Sequence, residues 1–564
     1  MALSGNHKVV VVGSGAGGGM AAHLLTREGI KVVLVEAGRD YDPYTETPMF
    51  NTSHEAPLLG YRTPDKDFGF YDAGVGGGWE IPGEPYSTGD ESEFRWYRTR
   101  ALGGRTNHWG RNSFRMGPLD FKPRSRDGLG VDWPIGYEDL EPYYDRTEAL
   151  IGVYGSNDGL TNSPDSGPGI LHKPPKPRIA ELMIKAVAES MGMPCVAMRR
   201  AVLTRPMGER AACFYATACN RGCSIGAAFQ STTSLIPWAK ATGHLEILTD
   251  AMVYEVETDE RGRASGVNYI DRTTGEHHHI PARAVVLAAS TGETARILLN
   301  SASGRHPDGL ANASGQVGRN LMDTVGASMA AQIPSLENRP RYNEDGAMGG
   351  HLYIPFWLYD EQDAGRLDFP RGYHYEVGGG FREPGYGVDY IPFIVDGYGR
   401  SLKEDARRYY GSVLRFGQRG EMIPNDGCYA EIDPELRDRF GIPVLRFHYR
   451  HSEHEFRQVA HFQQNTLELI DRLGGRLLTE VRPPEEAIAA GGVIIHEVGA
   501  ARMGDDPETS VTNGFGQAWE VDNLYLTDGS VFASKAHKNP TLTILALAWR
   551  STENLIERMR QGEI

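Results

Sequence analysis

The stretch VVVVGSGAGGGMAAHLLTREGIKVVLVE, residues 9–36, decides the fold. Val9 to Val12 form a β-branched run, the glycines Gly13-x-Gly15-x-x-Gly18 follow at once, and Met20, Ala21, Leu24 and Leu25 recur at helical spacing up to Gly29. A second apolar run, Val32 to Val35, ends in Glu36. Strand, tight turn, helix and strand make the βαβ unit that grips a dinucleotide. Gly13 permits the turn, Gly15 lets a pyrophosphate approach the backbone, and Gly18 lets the helix close on the strand. The phosphate charge then rests on the helix N-terminus, where N–H groups lack partners within the helix. Glu36 stands where an acidic side chain accepts hydrogen bonds from a ribose. The expected fold class is α/β, with a Rossmann-like domain at its centre.

Working outward, residues 245–280 alternate in strand fashion. LEILTDAMVYEVETD, a turn at Arg261 and Gly262, ASGVNYID, a turn at Gly275 and HHHIPA predict a three-stranded antiparallel meander. A buried strand over 284–289 and a helix over 293–300 follow. Near the far end come GGVIIHEVGAARMG (491–504), a buried strand over 524–527, a turn at Asp528-Gly529-Ser530, and an apolar helix entered through Pro540 and Thr541. Proline fits a first helical turn, and the N-terminus of that helix favours negative charge just before it. Residues 40–95 read as loops laid over another surface. Residues 326–490 read as a mostly antiparallel region with one clear helix, capped by Ser452 and Glu455. This predicts a discontinuous dinucleotide domain (1–45, 96–130, 195–325 and 491–564). An interleaved α+β substrate domain, built on a mostly antiparallel sheet, takes 46–95, 131–194 and 326–490. His454, His461 and the run His277–His279 read as ordinary surface or packing histidines, since no carboxylate or cysteine accompanies them at ligand spacing.

A chain of 564 residues is too long for one simple core. Its formal charge of -16 argues against nucleic acid and against anionic membrane surfaces as partners. Residues 1–8 lack a signal-like apolar stretch and a twin arginine, and no apolar run reaches the length of a membrane span. By its own sequence the chain reads as cytoplasmic, and periplasmic co-export with a partner subunit stays open. Of five cysteines, Cys213, Cys219 and Cys223 cluster within AACFYATACNRGCSIGA. Two readings fit that spacing: thiolates turned toward one Fe–S centre, or free thiols in a loop. Cys195 and Cys428 stand apart and read as structural.

On the glycine loop, LGGRTNHWG (102–110), the meander, VGRNLMD (317–323) and the whole C-terminal block, the chain resembles the glucose–methanol–choline (GMC) oxidoreductase family, flavoproteins that oxidise alcohols. The resemblance implies FAD, held by Gly13, Gly15, Gly18 and Glu36, by Gly103, Gly104, Asn107 and His108, by Val253 beside the adenine, by Asp528 and Gly529, and by Pro540 and Thr541 at the final helix. It implies His496 as the catalytic histidine and Asn539 as its partner. STGETARI (290–297) matches the family's second FAD motif only loosely. His108 resembles the histidine that pyranose oxidases join to their flavin, so a covalent bond and a noncovalent pocket role both stand. Within the family, HEVGAARMG and NPTLTILALA resemble the catalytic subunits of bacterial gluconate, glucose and glucoside 3-dehydrogenases. That likeness implies a three-iron (3Fe-4S) cluster on Cys213, Cys219 and Cys223, with Ala216 where some relatives carry a further cysteine.

The chemistry agrees with those roles. Oxidising an alcohol removes a hydroxyl proton and moves hydride to flavin, so a base and a donor must meet at one oxygen. Histidine, with an ordinary pKa of about 6.5, suits the first task and an amide N–H the second. The expectation is an FAD-dependent dehydrogenase of a secondary or anomeric hydroxyl of a sugar or glycoside. Electrons would pass through the cluster to a small partner subunit, a cytochrome or a quinone. An oxygen-using oxidase like pyranose oxidase is the alternative, and a flavin-binding subunit without turnover is a third reading.

Overall fold

Val9, Val10 and Val11 are fully buried, which a strand achieves only inside a parallel sheet covered on both faces. In the computed structural model, which describes residues 9–47, 49, 77–215, 219, 222–341, 344, 346, 347, 349–381, 394, 395 and 397–564, that sheet has five parallel strands. Their spatial order is Leu524–Leu526, Ala284–Leu287, Val9–Val12, Val32–Val35 and Leu245–Leu248. The helix Ala16–Arg27 leaves the glycine turn and packs on the C-terminal helix Thr541–Gln561. The first and last parts of the chain thus share one core, and the α/β, Rossmann-like expectation holds.

The meander is shorter than expected. Alternation runs straight through Thr249 and Asp250, yet Asp250 takes a left-handed φ of +54°, a conformation that a short polar side chain tolerates. The chain breaks there. Leu245–Leu248 becomes the outer strand of the parallel sheet, and the antiparallel meander is Ala251–Thr258, Ala264–Asp271 and His277–Pro281. The expected helix after it spans Thr291–Asn300.

A second sheet has six antiparallel strands in the order Arg476–Leu477, Val325–Gln332, Val413–Gly420, Tyr373–Gly379, Leu352–Ile354 and Val196–Ala197. The helix Glu453–Arg472 packs on it, and its capping box is formed, with Ser452 Oγ accepting from His454 N and Glu455 accepting from Ser452 N. Of the expected loop region 40–95, residues 48 and 50–76 lie outside the described residues. Among the described residues no helix is long and apolar enough to cross a membrane.

Candidate active site

One cavity of about 570 Å³ runs from the glycine turn to His496 and Asn539, within the range of about 300–1,000 Å³ for ligand clefts. At its first end the geometry belongs to the backbone. Gly13 has φ +95°, and a Cβ there would lie 2.3 Å from the carbonyl oxygen of Ala288. A Cβ on Gly18 would lie 1.8 Å from the Gly13 oxygen, so this glycine serves helix packing and stands behind the cavity wall. Gly15 is different. Nothing lies within 4 Å of its virtual Cβ, and that of Gly104 meets only the Gly15 Cα, at 3.8 Å. The two glycines thus face each other across a space that a side chain would fill, as a pyrophosphate cradle requires.

Glu36 lines the same end and is already oriented. Its carboxylate accepts from Ser14 Oγ at 2.5 Å and from the Gly38 amide at 2.7 Å, and burial pushes its pKa up. Val253 lines the wall where the meander ladder slips by one residue, a bulge that leaves a residue out of the ladder. Gly103 and Asn107 stand behind the wall: the Gly103 amide donates to Ser14 Oγ, and the Asn107 side chain donates to the Leu102 carbonyl and accepts from Thr232 Oγ1. His108 lies in the wall, its Nε2 3.0 Å from Thr99 Oγ1. Burial, with Arg111 and Arg105 nearby, lowers its pKa to about 3, so the ring is neutral.

In the middle, Asp528 and Gly529 line the cavity, and Asp528 accepts from Thr294 Oγ1, the Ser290 amide and the Ser530 amide. The loosely matching motif at 290–297 therefore does reach the cavity. Its Glu293 is ion-paired with Arg100, which also pairs with Glu84 at 2.8 Å.

The far end is a property of side chains. His496 follows Ile495, whose φ is +63°, a strained setting for a β-branched residue that re-aims the chain. The buried carboxylate of Asp323, last residue of VGRNLMD, accepts the His496 amide at 2.9 Å. His496 Nδ1 lies 3.0 Å from Thr324 Oγ1. In the tautomer in which Nδ1 donates to Thr324, Nε2 carries the lone pair, and Asn539 Nδ2 lies 3.3 Å from it. That amide also donates to Glu376 Oε1 at 3.4 Å, while its Oδ1 is buried without a partner. Burial, then Lys535 and Arg419, holds the His496 pKa well below its ordinary value, with Glu376 opposing. Pro540 and Thr541 line the cavity too, and no side chain caps the helix that starts there, so its free N–H groups face this end.

Sequence reasoning missed Thr324, Glu376, Asn112 and Arg419. Glu376 sits in YHYEVGG, where Tyr373 and Tyr375 are buried in the core. The polar His374 and Glu376, two apart between aromatics, were the available signal. Glu376 pairs across the sheet with Gly417, and Arg415 and Arg419 flank that position on the same face.

The cysteine loop lies behind the wall. Cys213 Sγ accepts from the Tyr215 amide and Cys223 Sγ from the Ala228 amide, each at 3.4 Å, and Arg111 donates to the Cys219 carbonyl at 3.1 Å. Burial and the neighbouring Cys219 push the Cys213 thiol up to about 11. At that value the Cys213 thiol keeps its proton, and among the described residues no three His, Cys, Asp or Glu converge as metal ligands. Residues 216–218, 220 and 221, Ala216 included, lie outside the described residues. The histidines set aside from the sequence also keep ordinary contacts, His461 Nδ1 lying 2.9 Å from the Tyr373 hydroxyl and His277 Nδ1 3.1 Å from the Tyr254 hydroxyl.

Comparison with known proteins identifies the family. The N-terminal GMC oxidoreductase model matches residues 8–325 and the C-terminal one residues 424–548. The 2-methyl-1,2-propanediol dehydrogenase of Mycolicibacterium austroafricanum is 31% identical over 98% of this chain and 95% of its own length. The fructose dehydrogenase large subunit of Gluconobacter japonicus is 26% identical over 98% of both. Formate oxidase from Aspergillus oryzae RIB40, a solved structure, superposes with a TM-score of 0.65 at 15% identity, covering 99% of this chain and 100% of that one, and shows a shared fold. The chain belongs to the GMC oxidoreductase family: it is an FAD-binding oxidoreductase that acts on the CH–OH group of sugars or alcohols.

Proposed function

We propose that this protein is a dehydrogenase of a secondary or anomeric hydroxyl of a sugar or glycoside, with His496 as the base. The observation that carries the reading is the 3.3 Å separation of His496 Nε2 and Asn539 Nδ2 at the end of the cavity opposite Glu36. Bound FAD would supply the hydride acceptor, held by Gly13, Gly15 and Glu36 at the nucleotide end, by Gly104, Val253, Asp528 and Gly529 along the wall, and by the helix N-terminus at Pro540 and Thr541, with Gly18, Gly103 and Asn107 supporting from behind. The substrate hydroxyl gives its proton to His496 Nε2. Once protonated, Nε2 no longer accepts from Asn539, and the amide N–H turns to the oxygen as its carbonyl forms. Burial keeps His496 neutral beforehand and so keeps the base in its working form.

His108 is the candidate for a covalent link, which yellow colour surviving denaturation of the chain would reveal. Cys213, Cys219 and Cys223 would hold a three-iron cluster, supplying a one-electron exit to a partner subunit, cytochrome or quinone. The discontinuous division inferred from the sequence belongs to the same reading, with the six-stranded sheet as the substrate side, although its edge strand Val196–Ala197 comes from the segment assigned to the dinucleotide domain. Relatives matched over nearly their whole length carry both kinds of name, dehydrogenases of 2-methyl-1,2-propanediol, fructose and gluconate and an oxidase of paromamine, and the choice of electron acceptor separates the two.

The test is anaerobic bleaching of the flavin by a panel of sugars, glycosides, sugar acids and simple alcohols, followed by reoxidation with a quinone or with oxygen. Bleaching by sugars with transfer to quinone supports the proposal. Peroxide formed in proportion to substrate replaces it with an oxidase, and a flavin that no alcohol reduces removes turnover altogether.

A further inference from the structure

The antiparallel sheet presents a negative charge to the reactive end of the cavity. Glu376 lines that end and is only partly exposed, its side chain at 19%. An ionised carboxylate in such a place is costly unless it is well partnered. Its Oε1 accepts from Asn112 Nδ2 at 2.5 Å and from Asn539 Nδ2 at 3.4 Å, and its Oε2 is paired with Arg419 Nη2 at 3.0 Å. Behind it runs a buried row of polar groups. His374 Nε2 lies 3.7 Å from Glu376 Oε1, His374 Nδ1 lies 3.3 Å from His537 Nδ1, and His537 Nε2 lies 3.3 Å from the Tyr359 hydroxyl.

One set of hydrogen positions serves the first two links, Tyr359 donating to His537 and His537 to His374, and leaves the protonated His374 Nε2 3.7 Å from the carboxylate, an electrostatic contact rather than a hydrogen bond. The Tyr359 oxygen in turn accepts from Asn162 Nδ2 at 3.1 Å. Burial alone would push the Glu376 pKa up, but Arg419, His374 and His496 hold it well below the ordinary carboxylate range. The base does not need this anion for its tautomer, because Thr324 already occupies Nδ1.

Granting the dehydrogenase reading, we infer that Glu376, with Arg419 and Asn112 beside it, binds a second hydroxyl on the carbon next to the one oxidised, so that the enzyme selects vicinal diols. The first hydroxyl sits at His496 Nε2 and Asn539. Asn539 Nδ2 lies 3.3 Å from His496 Nε2 and 3.4 Å from Glu376 Oε1, so those two acceptors are at most about 6.7 Å apart, a gap that a pair of hydroxyls on adjacent carbons can bridge. A carboxylate offers about four acceptor positions. Oε1 is engaged by Asn112 and Asn539, and Oε2, paired with Arg419, has acceptor capacity for the O–H of the second hydroxyl. The Arg419 fork and the Asn112 amide donate to that hydroxyl's oxygen.

The test compares cyclohexanol with trans-cyclohexane-1,2-diol, and propan-2-ol with propane-1,2-diol, as anaerobic reductants of the bound flavin in the intact protein. The diol of each pair is expected to be faster in kcat/KM by about ten- to a hundredfold, as suits a hydrogen bond to a charged group. Glu376→Gln keeps the shape and removes the charge, and it should erase most of that ratio. Glu376→Asp should keep part of it. A purely structural role would slow diol and mono-alcohol alike and leave the ratio unchanged, which would overturn the inference.

Binding is read separately with pinacol, a vicinal diol that cannot be oxidised, against tert-butanol, through the shift each causes in the flavin spectrum. Tighter binding of pinacol that is lost in Glu376→Gln supports the diol site even if no alcohol bleaches the flavin, in which case the dehydrogenase reading alone fails. Equal bleaching by diols and mono-alcohols in the unaltered protein sinks the diol site and leaves the dehydrogenase standing.

Discussion

The two ends of the cavity are built on different plans. The nucleotide end comes largely from one short stretch, residues 12–17 with Val35 and Glu36, and its shape is a property of backbone and absent side chains. The reactive end gathers Asn112, Thr324, Glu376, Arg419, His496 and Asn539 from separate parts of the chain, and its function is a property of side-chain atoms. The first plan controls whether a cofactor is held and the second how fast it reacts. Substitutions at one end should therefore leave the other end's observable untouched.

The sharpest break would come from His496. Replacing it with Gln should lower the rate of anaerobic flavin reduction by roughly 10²- to 10⁴-fold, the usual worth of a positioned base, while FAD content stays at the unaltered level. Loss of FAD with loss of rate would merge the two ends. In the unaltered protein His496 itself should add no limb as pH falls through 6.5, because it is protonated only below its lowered pKa, whereas Asp323, pushed up to about 7 by burial and Glu497, titrates near there. A limb centred on 6.5 that persists in Asp323→Asn would place His496 in water rather than in the cavity wall.

Acid should also weaken the ion pairs in the middle of the cavity. Burial pushes Glu293 up, but Arg100, Arg296 and Arg98 outweigh it and hold its pKa at about 2, against 4.5 for the free group. A depressed carboxylate contributes stability in full above the free value and loses it as pH falls toward the folded one. The unfolding free energy should thus drop between pH 4.5 and 2 by up to about 3 kcal/mol from this group, and Glu293→Gln should flatten that part of the urea-denaturation profile.

Two glycines separate packing from binding. Gly18→Ala would force a Cβ to 1.8 Å from a backbone oxygen and should cost about 1–3 kcal/mol of stability even without cofactor, as seen in Tm. Gly15→Ala meets nothing in the protein and should leave the Tm of the FAD-free protein unchanged while weakening FAD retention. If both lower that Tm equally, the space beside Gly15 is not a cradle. The smallest expected effect is Thr324→Val, which keeps the shape, frees Nδ1 and should slow flavin reduction by about tenfold through the wrong tautomer, about 1.4 kcal/mol.

The same contrast explains what could be read from the sequence. The βαβ unit was legible because strand, turn and helix leave local periods and because glycines are needed at fixed offsets. The final helix was legible in the apolar run behind Pro540, and His496 and Asn539 were singled out through family resemblance. Glu376 was not, since its meaning depends on Arg419, its diagonal neighbour across the sheet, and on Asn112 from another segment, and a single strand records no such partner. The meander was misjudged at one point for a related reason. Alternation measures which faces are buried and does not register Asp250, where the backbone turns over and hands Leu245–Leu248 to a different sheet.

The place of Val9–Val12 in the parallel sheet has a consequence for synthesis. This strand leaves the ribosome before its neighbours, yet it ends between Val32–Val35 and Ala284–Leu287, with Leu524–Leu526 outermost beyond the latter. One of its edges therefore stays open while much of the polypeptide is still being translated, and an open apolar edge invites pairing with other nascent chains. Shielding by a chaperone through that interval is the demand this topology places on the cell.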